Sequence, residues 1–236
     1  MDSVSGVGVV DKSVAILDAL AVRGPLSLAQ LVDATGVSRP TAHRLAAALG
    51  AHGLVGRDPE GRFRLGLRLL AWGTRAAAPA ELVESARPVL ARLRDETDES
   101  AQLYVRDGDR RVCVAVAERP SGLRDTVPVG ASLPLTAGSG GTVLLAWSAP
   151  PDSLAGSTDR TGRFAEVRAA GWAESVAERE PGVASVSAPV RDRDGSVVAA
   201  ISVSGPIERL GRRPGRRLAP PVIAAAEALE RAARPS

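Results

Sequence analysis

The sequence predicts an α+β protein of two domains: three short helices and a β-hairpin, then an antiparallel sheet with helices packed on it. Two observations carry this prediction. Apolar residues recur at helical spacing up to position 52, whereas alternating, strand-like runs joined by glycine-containing turns dominate after position 100. The 236 residues suffice for two modest domains. We place a first domain at 1–66, a linker helix at 67–80 and a second domain at 81–236.

Three helices are predicted in the first domain. The first spans Lys12 to Val22. The second follows Ser27, which forms a capping-box pattern with Gln30 three residues later. The third begins at Ser38, with Pro40 in its first turn, where a missing N–H breaks no helical hydrogen bond.

A basic β-hairpin follows the third helix, with its turn at 58–61. Residues 1–80 hold nine Lys or Arg against six Asp or Glu, whereas residues 81–236 hold 21 of each sign. A local positive excess suits a phosphate backbone, although a solvated basic face predicts the same composition.

Two short helices joined by a tight turn, followed by a hairpin, are the plan of the winged helix-turn-helix, whose second motif helix lies in the major groove. We therefore expect binding to a double-stranded DNA operator. Helix residues should read bases, the hairpin arginines should hold phosphates, and Phe63 between them should face the core. The candidate DNA-binding residues are Ser38, Arg39, Thr41, His43, Arg44, Arg62 and Arg64. For His43, a base contact, a phosphate contact and simple packing all remain open.

The second domain alternates hairpins and helices. Strands are predicted at 101–106, 112–118, 182–190 and 196–204, and helices at 81–95, 139–147, 160–170 and 219–233. Together they predict an antiparallel sheet covered by helices.

The residue inventory of the second domain argues against an enzyme. The only histidines are His43 and His52, and residues 81–236 contain neither His nor Lys. A serine nucleophile would lack its usual base, and zinc would lack imidazole ligands that the single Cys113 cannot replace. We expect no enzyme activity, no metal and no cofactor, although the inventory leaves catalysis by carboxylates alone open. Cys113 lies in a predicted strand and is expected to be a buried, inert thiol.

No apolar stretch approaches the roughly 18 residues of a membrane helix. The N-terminus shows no basic segment followed by an apolar core. We therefore expect no membrane association and a cytoplasmic location.

Strand arithmetic predicts a polar face in the second domain. Asp194-Gly195 is a two-residue hairpin signal, which would pair Arg193 with Ser196. Because side chains alternate along a strand, this register brings four hydroxyls to one face: Ser187 opposite Ser202, and Ser185 opposite Ser204. The intervening valines and isoleucine would face the core. Pro189 counts against a central strand.

A glycine-rich stretch at 136–142 leads into the helix at 139–147, whose first turn it includes. It lacks the lysine of a P-loop, but the N–H groups at its helix start would attract a carboxylate. With neutral hydroxyl donors nearby, we expect a small carboxylate effector such as an amino acid or a 2-oxo acid. The candidate effector-binding residues are Ser139, Gly140, Ser185, Ser187, Ser202 and Ser204.

Several stretches along the whole chain resemble the IclR family of bacterial regulators: DKSVAILDAL, LVDATGVSRPTAHRLAAAL, RFRLGLRLL, LPLTAGSGGTVLLAW, GVASVSAPV and AAISVSGPIERL. Residues 100–130 and 179–190 most resemble the NdgR-type regulators of leucine and amino-acid metabolism. The resemblance implies a GAF-like effector domain, a homodimer or dimer of dimers, and control of leucine-type biosynthesis genes.

The resemblance also implies effector contacts at Ser139 and Gly140 and at Ser185, Ser202 and Ser204. Many relatives carry Asp where Ser175 stands and Cys where Ser185 stands, so their ligands do not transfer directly. Some members hold a metal, for which this sequence lacks the histidines. Two alternatives remain: an enzyme domain fused to a DNA-binding module, and a DNA-binding protein without a ligand. A ligand-dependent change in operator affinity would separate the first interpretation from both.

Overall fold

The computed structural model describes residues 5–76, 80–148 and 158–233. The chain divides into two compact units between Ala77 and Ala78. Each unit is built around its own hydrophobic core.

The first unit contains three helices, a two-stranded antiparallel sheet and a fourth helix. In chain order these are α1 (Gly8–Arg23), α2 (Leu28–Thr35), α3 (Arg39–Ala51), β1 (Val55–Arg57), β2 (Phe63–Leu65) and α4 (Arg68–Ala76). The core is formed by Ile16, Leu20, Leu31, Leu45 and Phe63, with smaller residues around them. The predicted order of helices and hairpin is confirmed, although α1 begins four residues earlier than expected.

Local signals explain where α2 and α3 begin. The Ser27 N–H donates to Gln30 Oε1 (2.8 Å) and the Gln30 N–H donates to Ser27 Oγ (3.3 Å), which completes the predicted capping box. Gly36 ends α2 at φ 66°, a conformation that suits glycine. Ser38 is the N-cap of α3, but its hydroxyl bonds the Thr41 hydroxyl (3.0 Å) instead of a backbone N–H.

The predicted linker helix over 67–80 is only partly matched. The helix α4 covers Arg68–Ala76 and so begins one residue later than expected. Residues 77–79 lie outside the described residues, and Ala80 already starts the next helix.

The second unit is an antiparallel sheet between two helical layers. Its elements are α5 (Ala80–Thr97), β3 (Ser100–Asp107), β4 (Arg110–Ala117), β5 (Ser132–Pro134), α6 (Ser139–Ala146), α7 (Thr158–Ala170), β6 (Ala173–Val176), β7 (Val183–Arg191), β8 (Val197–Pro206), α8 (Ile207–Leu210) and α9 (Gly215–Ala232). Within the described ranges the sheet has six strands in the order β5-β4-β3-β8-β7-β6. The strands β5 and β6 and the helix α8 were not predicted from the sequence.

The two faces of the sheet carry different cores. One face packs against α5 and α9 through Leu90, Leu93, Val222 and Leu229 among others. The other face packs against α6 and α7, and every residue of α6 is buried. None of the helices in the described part of the chain has the length and apolarity that a membrane crossing needs.

The turn between β7 and β8 differs from the prediction, yet the register is the predicted one. The Asp192 N–H donates to Ser196 O (3.0 Å) and the Gly195 N–H donates to Asp192 O (3.2 Å), so the loop holds three residues instead of two and Arg193 does not pair with Ser196. Gly195 has φ 86°, as such loops require. A one-residue bulge next to Val190 then shifts the register back.

Pro189 lies in β7 opposite Ala200. The neighbouring strand β6 pairs with β7 only as far as Ser187. Among the described residues no strand pairs with β7 on that side at Pro189, where a missing N–H therefore breaks no ladder hydrogen bond.

Candidate functional site

The helix α3 presents two distinct faces. Ala42, Leu45 and Ala46 are buried against the core of the first unit. Arg39, His43 and Arg44 are exposed on the opposite side. Thr41 is half-buried beside the Ser38 hydroxyl. The predicted base-reading arginines therefore both lie on the exposed side of α3, as residues that enter a groove require.

The hairpin has the predicted alternation. Phe63 is 4% exposed and belongs to the core, which confirms the expectation for its side chain. The Arg62 Nε donates to Asp58 Oδ2 at 2.8 Å, and the Arg64 Nε donates to the backbone oxygen of Arg57 at 3.3 Å. Arg62 is therefore already paired, whereas the bonds of Arg64 are to neutral backbone groups.

Two electrostatic features of the hairpin were not anticipated. The Arg57 guanidinium lies 4.2 Å from the centroid of the Phe63 ring and donates to Gly61 O, so it is a further cation on this surface. Burial raises the pKa of Asp58, but hydrogen bonds from the Arg62 backbone N–H and guanidinium outweigh burial and leave that pKa below its usual value.

The serines of the second unit converge as the strand arithmetic predicted. Ser185 pairs with Ser204 and Ser187 with Ser202 across β7 and β8. Ser139 Oγ, at the start of α6, lies 2.7 Å from both Ser185 Oγ and Ser187 Oγ. The Ser187 hydroxyl donates to Ser202 Oγ at 2.9 Å. The register and the common face are confirmed, while the binding role of these residues stays a prediction.

The opposite face of the same strands is apolar, as expected. Val186, Ile201 and Val203 are fully buried in the core beneath α5 and α9. The separation follows from the alternation of side chains along each strand.

Gln102 on β3 extends the polar face and was not anticipated. It lies opposite Ser202 and accepts a hydrogen bond from the Ser204 hydroxyl (3.2 Å). Its side chain is fully buried, and its Nε2 has no hydrogen-bond partner among the described residues.

Arg111 and Arg179 line the same cavity, and the sequence analysis missed both. The predicted strand began at Val112, which left Arg111 outside it. The structure starts β4 at Arg110, so strand alternation puts Arg111 on the same face as buried Cys113. Arg179 lies in a loop and pairs with Asp125, a residue 54 positions away that no local pattern links to it.

The two arginines differ in charge pairing. Arg179 Nη2 donates to both Asp125 oxygens (2.6 and 2.7 Å). Burial lowers the pKa of Arg179, but the Asp125 carboxylate outweighs this and raises it overall. Arg111 has no ion pair among the described residues, and burial lowers its pKa.

The glycine-rich loop is shaped by Arg111 and by the backbone beside it. A Cβ on Gly141 would overlap Leu135 O and lie 2.8 Å from Arg111 Nη1. Glycine therefore allows the loop to pass over the guanidinium. The N–H of Gly138, the N-cap residue of α6, donates to Glu178 Oε2 at 3.0 Å. The protein's own carboxylate thus already uses part of the start of α6.

These groups surround a small cavity of about 20 Å³. Its lining includes all but one of the predicted effector-binding residues, because Ser187 lies just behind it. The lining residues are Tyr104, Arg111, Asp125, Gly138, Ser139, Gly140, Ser175, Arg179, Val183, Ser185, Ser202 and Ser204. The volume admits about one water molecule, so a larger ligand requires the cavity to open.

Within the described residues, Cys113 is not placed as a reactive thiol, and the acidic residues do not form a metal site. Cys113 is fully buried, and burial raises the pKa of its thiol to about 12. Within the described parts of the chain, no group of three or more His, Cys, Asp or Glu is arranged to hold a metal.

The fold and its surfaces define a class of protein: a DNA-binding regulator with a winged helix-turn-helix unit and a separate ligand-sensing unit. Residues 9–59 match the IclR helix-turn-helix domain, and residues 74–231 match the bacterial transcriptional regulator IclR C-terminal domain. The chain therefore belongs to the IclR family of transcriptional regulators.

Relatives and solved structures agree with this assignment. The chain is 31% identical to the HTH-type transcriptional regulator BhcR of Paracoccus denitrificans (95% of this chain, 86% of the relative). It is 36% identical to the glycerol operon regulatory protein of Streptomyces griseus (78% and 79%). The relatives are regulators, so the chain is a transcriptional regulator and not an enzyme.

Two solved structures share the fold. One is an IclR homologue from Microbacterium hydrocarbonoxydans complexed with 4-hydroxybenzoate, with a TM-score of 0.79 and 22% identity over 97% of this chain and 100% of that one. The other is a transcriptional regulator from Alicyclobacillus acidocaldarius, with a TM-score of 0.74 and 24% identity over 97% and 99%.

Proposed function

We propose that this regulator binds its DNA operator through α3 and the β1–β2 hairpin, and that a small carboxylate bound in the second unit changes operator affinity. The observation that carries the effector half is the convergence of Ser139, Ser185, Ser202 and Ser204 on one cavity at the start of α6. Hydroxyls together with a helix N-terminus suit a carboxylate.

The DNA half is supported by the exposed polar and basic residues of α3. Arg39, His43 and Arg44 are the proposed groove residues, with Ser38 and Thr41 at the helix start. Arg62 and Arg64 are the proposed phosphate contacts of the hairpin.

The carboxylate effector has support from a structural neighbour. The Microbacterium hydrocarbonoxydans homologue binds 4-hydroxybenzoate, which is itself a carboxylate.

Finer parts of the proposal rest on the sequence alone, either on its residue patterns or on the family resemblance. They are control of leucine-type amino-acid biosynthesis genes, an amino acid or 2-oxo acid as the effector, repression as the mode of action, assembly as a homodimer or dimer of dimers, and a cytoplasmic location. The domain boundaries at 66 and 80 belong to the same set.

The test is a gel-shift titration of the full chain on the DNA fragment upstream of its own coding sequence. Leucine, 4-methyl-2-oxopentanoate and 4-hydroxybenzoate are added one at a time. We expect saturable binding to that fragment over a scrambled control, and a change in affinity of at least about tenfold with one of the carboxylates, or about 1.4 kcal/mol. Binding that ignores every carboxylate would contradict the effector half, and equal affinity for the scrambled fragment would contradict the DNA half.

A further inference from the structure

Arg111 is the one arginine lining the cavity that is buried without an ion pair among the described residues. It is 3% exposed. Its Nη1 donates to the backbone oxygens of Pro134 and Ala137, and its guanidinium lies 5.2 Å from the centroid of the Tyr104 ring. These neutral contacts hold the group in place, but they do not neutralise it. A buried, unpaired charge is costly, so the site favours an incoming anion.

The open edge of the guanidinium has the geometry that a carboxylate needs. Nε is buried and has no hydrogen-bond partner, and no described residue accepts from Nη2. These two nitrogens form one side of the fork, which binds both oxygens of a carboxylate. A Cβ on Gly140 would lie 3.6 Å from Nε, and a Cβ on Gly138 would lie 3.0 Å from Nη2. The open edge therefore faces the start of α6 at two residues that have no side chain to cover it.

The remaining charges at the cavity are matched. Arg179 donates to both oxygens of Asp125 and to Glu180 (3.1 Å), and Arg163 donates to Glu178 (2.7 Å). Arg111 is the arginine of this group that has no ion pair among the described residues. The other buried side-chain atom without a partner, Gln102 Nε2, is also a donor, so both orphaned atoms require acceptors from a ligand.

We infer that the effector is a monoanion whose single carboxylate binds the Nε–Nη2 edge of Arg111, and that Asp125 selects against dianions by neutralising Arg179. This inference rests on the proposed effector function and adds the ligand's charge and the residue that reads it. Arg111 is therefore a specificity-determining residue.

The experiment measures ligand binding by thermal shift and calorimetry on the full chain at constant ionic strength. The monoanions are formate, 4-methyl-2-oxopentanoate and 4-hydroxybenzoate. The dianion is 2-oxoglutarate, and the neutral probe is 4-hydroxybenzamide. We expect at least one monoanion to bind the wild type at least about tenfold more tightly than the dianion and the neutral probe.

Two variants separate charge from architecture. Arg111→Met should weaken that monoanion at least about tenfold. Arg110→Met is the matched control, because Arg110 is the adjacent arginine of β4, is exposed and bonds only Ser132. Binding within about threefold of wild type in Arg111→Met overturns the inference, and so does a wild type that binds none of the monoanions or binds 2-oxoglutarate as tightly.

A third variant tests the selection by Asp125 and does not depend on whether Arg111→Met folds. Asp125→Asn removes the buried carboxylate on Arg179 Nη2 and leaves only the exposed Glu180 on Nη1 (3.1 Å), so affinity for 2-oxoglutarate should rise at least about tenfold over wild type. No rise overturns the selection by Asp125. The gel shift separates failure of this inference from failure of the proposed function. An effector that alters operator affinity equally in wild type and Arg111→Met refutes only the inference. Ligand binding that depends on Arg111 but leaves operator affinity unchanged refutes only the proposed function.

Discussion

Replacing single arginines of the first unit should divide base contacts from phosphate contacts. Arg39→Ala and Arg44→Ala each remove an exposed guanidinium of α3 that has no ion pair within the described residues. A bidentate contact from arginine to a base is worth on the order of 1–3 kcal/mol, so each variant should bind its operator about 5- to 150-fold more weakly. Binding to scrambled DNA should change much less.

The hairpin arginines should behave differently from those of α3 and from each other. Arg64→Ala should weaken binding to all DNA alike and lower the slope of log K against log salt by about 0.9 for each phosphate that the variant no longer neutralises. Arg62→Ala should have the smaller effect, because a phosphate must compete with Asp58 at 2.8 Å and with Glu60 at 3.5 Å.

The assay is fluorescence anisotropy on the operator fragment and on a scrambled fragment, between about 50 and 200 mM salt. Arg87→Ala is the matched control. It removes the same charge from an exposed site on α5, where Arg87 pairs with Glu84, and should leave both affinities unchanged. Unchanged operator affinity in both Arg39→Ala and Arg44→Ala would refute the assignment of base reading to α3.

Two further predictions concern the second unit. Ser139→Ala removes a buried hydroxyl bonded to Ser185 and Ser187, so the free energy of unfolding, measured in urea, should fall by about 1–3 kcal/mol. The control is Ser196→Ala at an exposed site. An equal loss of stability in both variants would contradict the hydrogen-bond network of the three serines. Cys113 keeps its proton to a higher pH than an ordinary thiol because burial raises its pKa from 9.0 to about 12, so its thiolate forms later as pH rises. Alkylation by iodoacetamide near pH 8.5 should then be at least about a hundredfold slower in the native protein than in urea, and similar rates would show that the thiol is not buried.

Much of the fold follows from signals that act over a few residues. The capping box at Ser27 and Gln30 fixes the start of α2 because both hydrogen bonds form within one helical turn. The alternation of serine with valine in β7 and β8 fixes which side chains share a face, since the pleat has a period of two. The absence of His and Lys after position 80 also needs no structure.

The register of β7 and β8 shows where local reasoning stops. A three-residue loop alone would have put Ser187 opposite Ile201 and turned the serines away from one another. The bulge next to Val190 restores the pairing with Ser202. The turn signal at Asp194-Gly195 carries no information about this bulge, because the packing of both sheet faces selects the register.

The charges of the cavity were decided by tertiary structure alone. Arg179 meets Asp125 across 54 residues, and Ser204 meets Gln102 across 102. Contacts over such distances leave no periodicity in the sequence. Arg110 is exposed, whereas Arg111 is buried without an ion pair. The difference depends on which face of β4 each arginine occupies and on how the loop before α6 packs against that face. The sequence alone therefore determined the polar face, and only the packed fold decided that a buried guanidinium without an ion pair lies beside it.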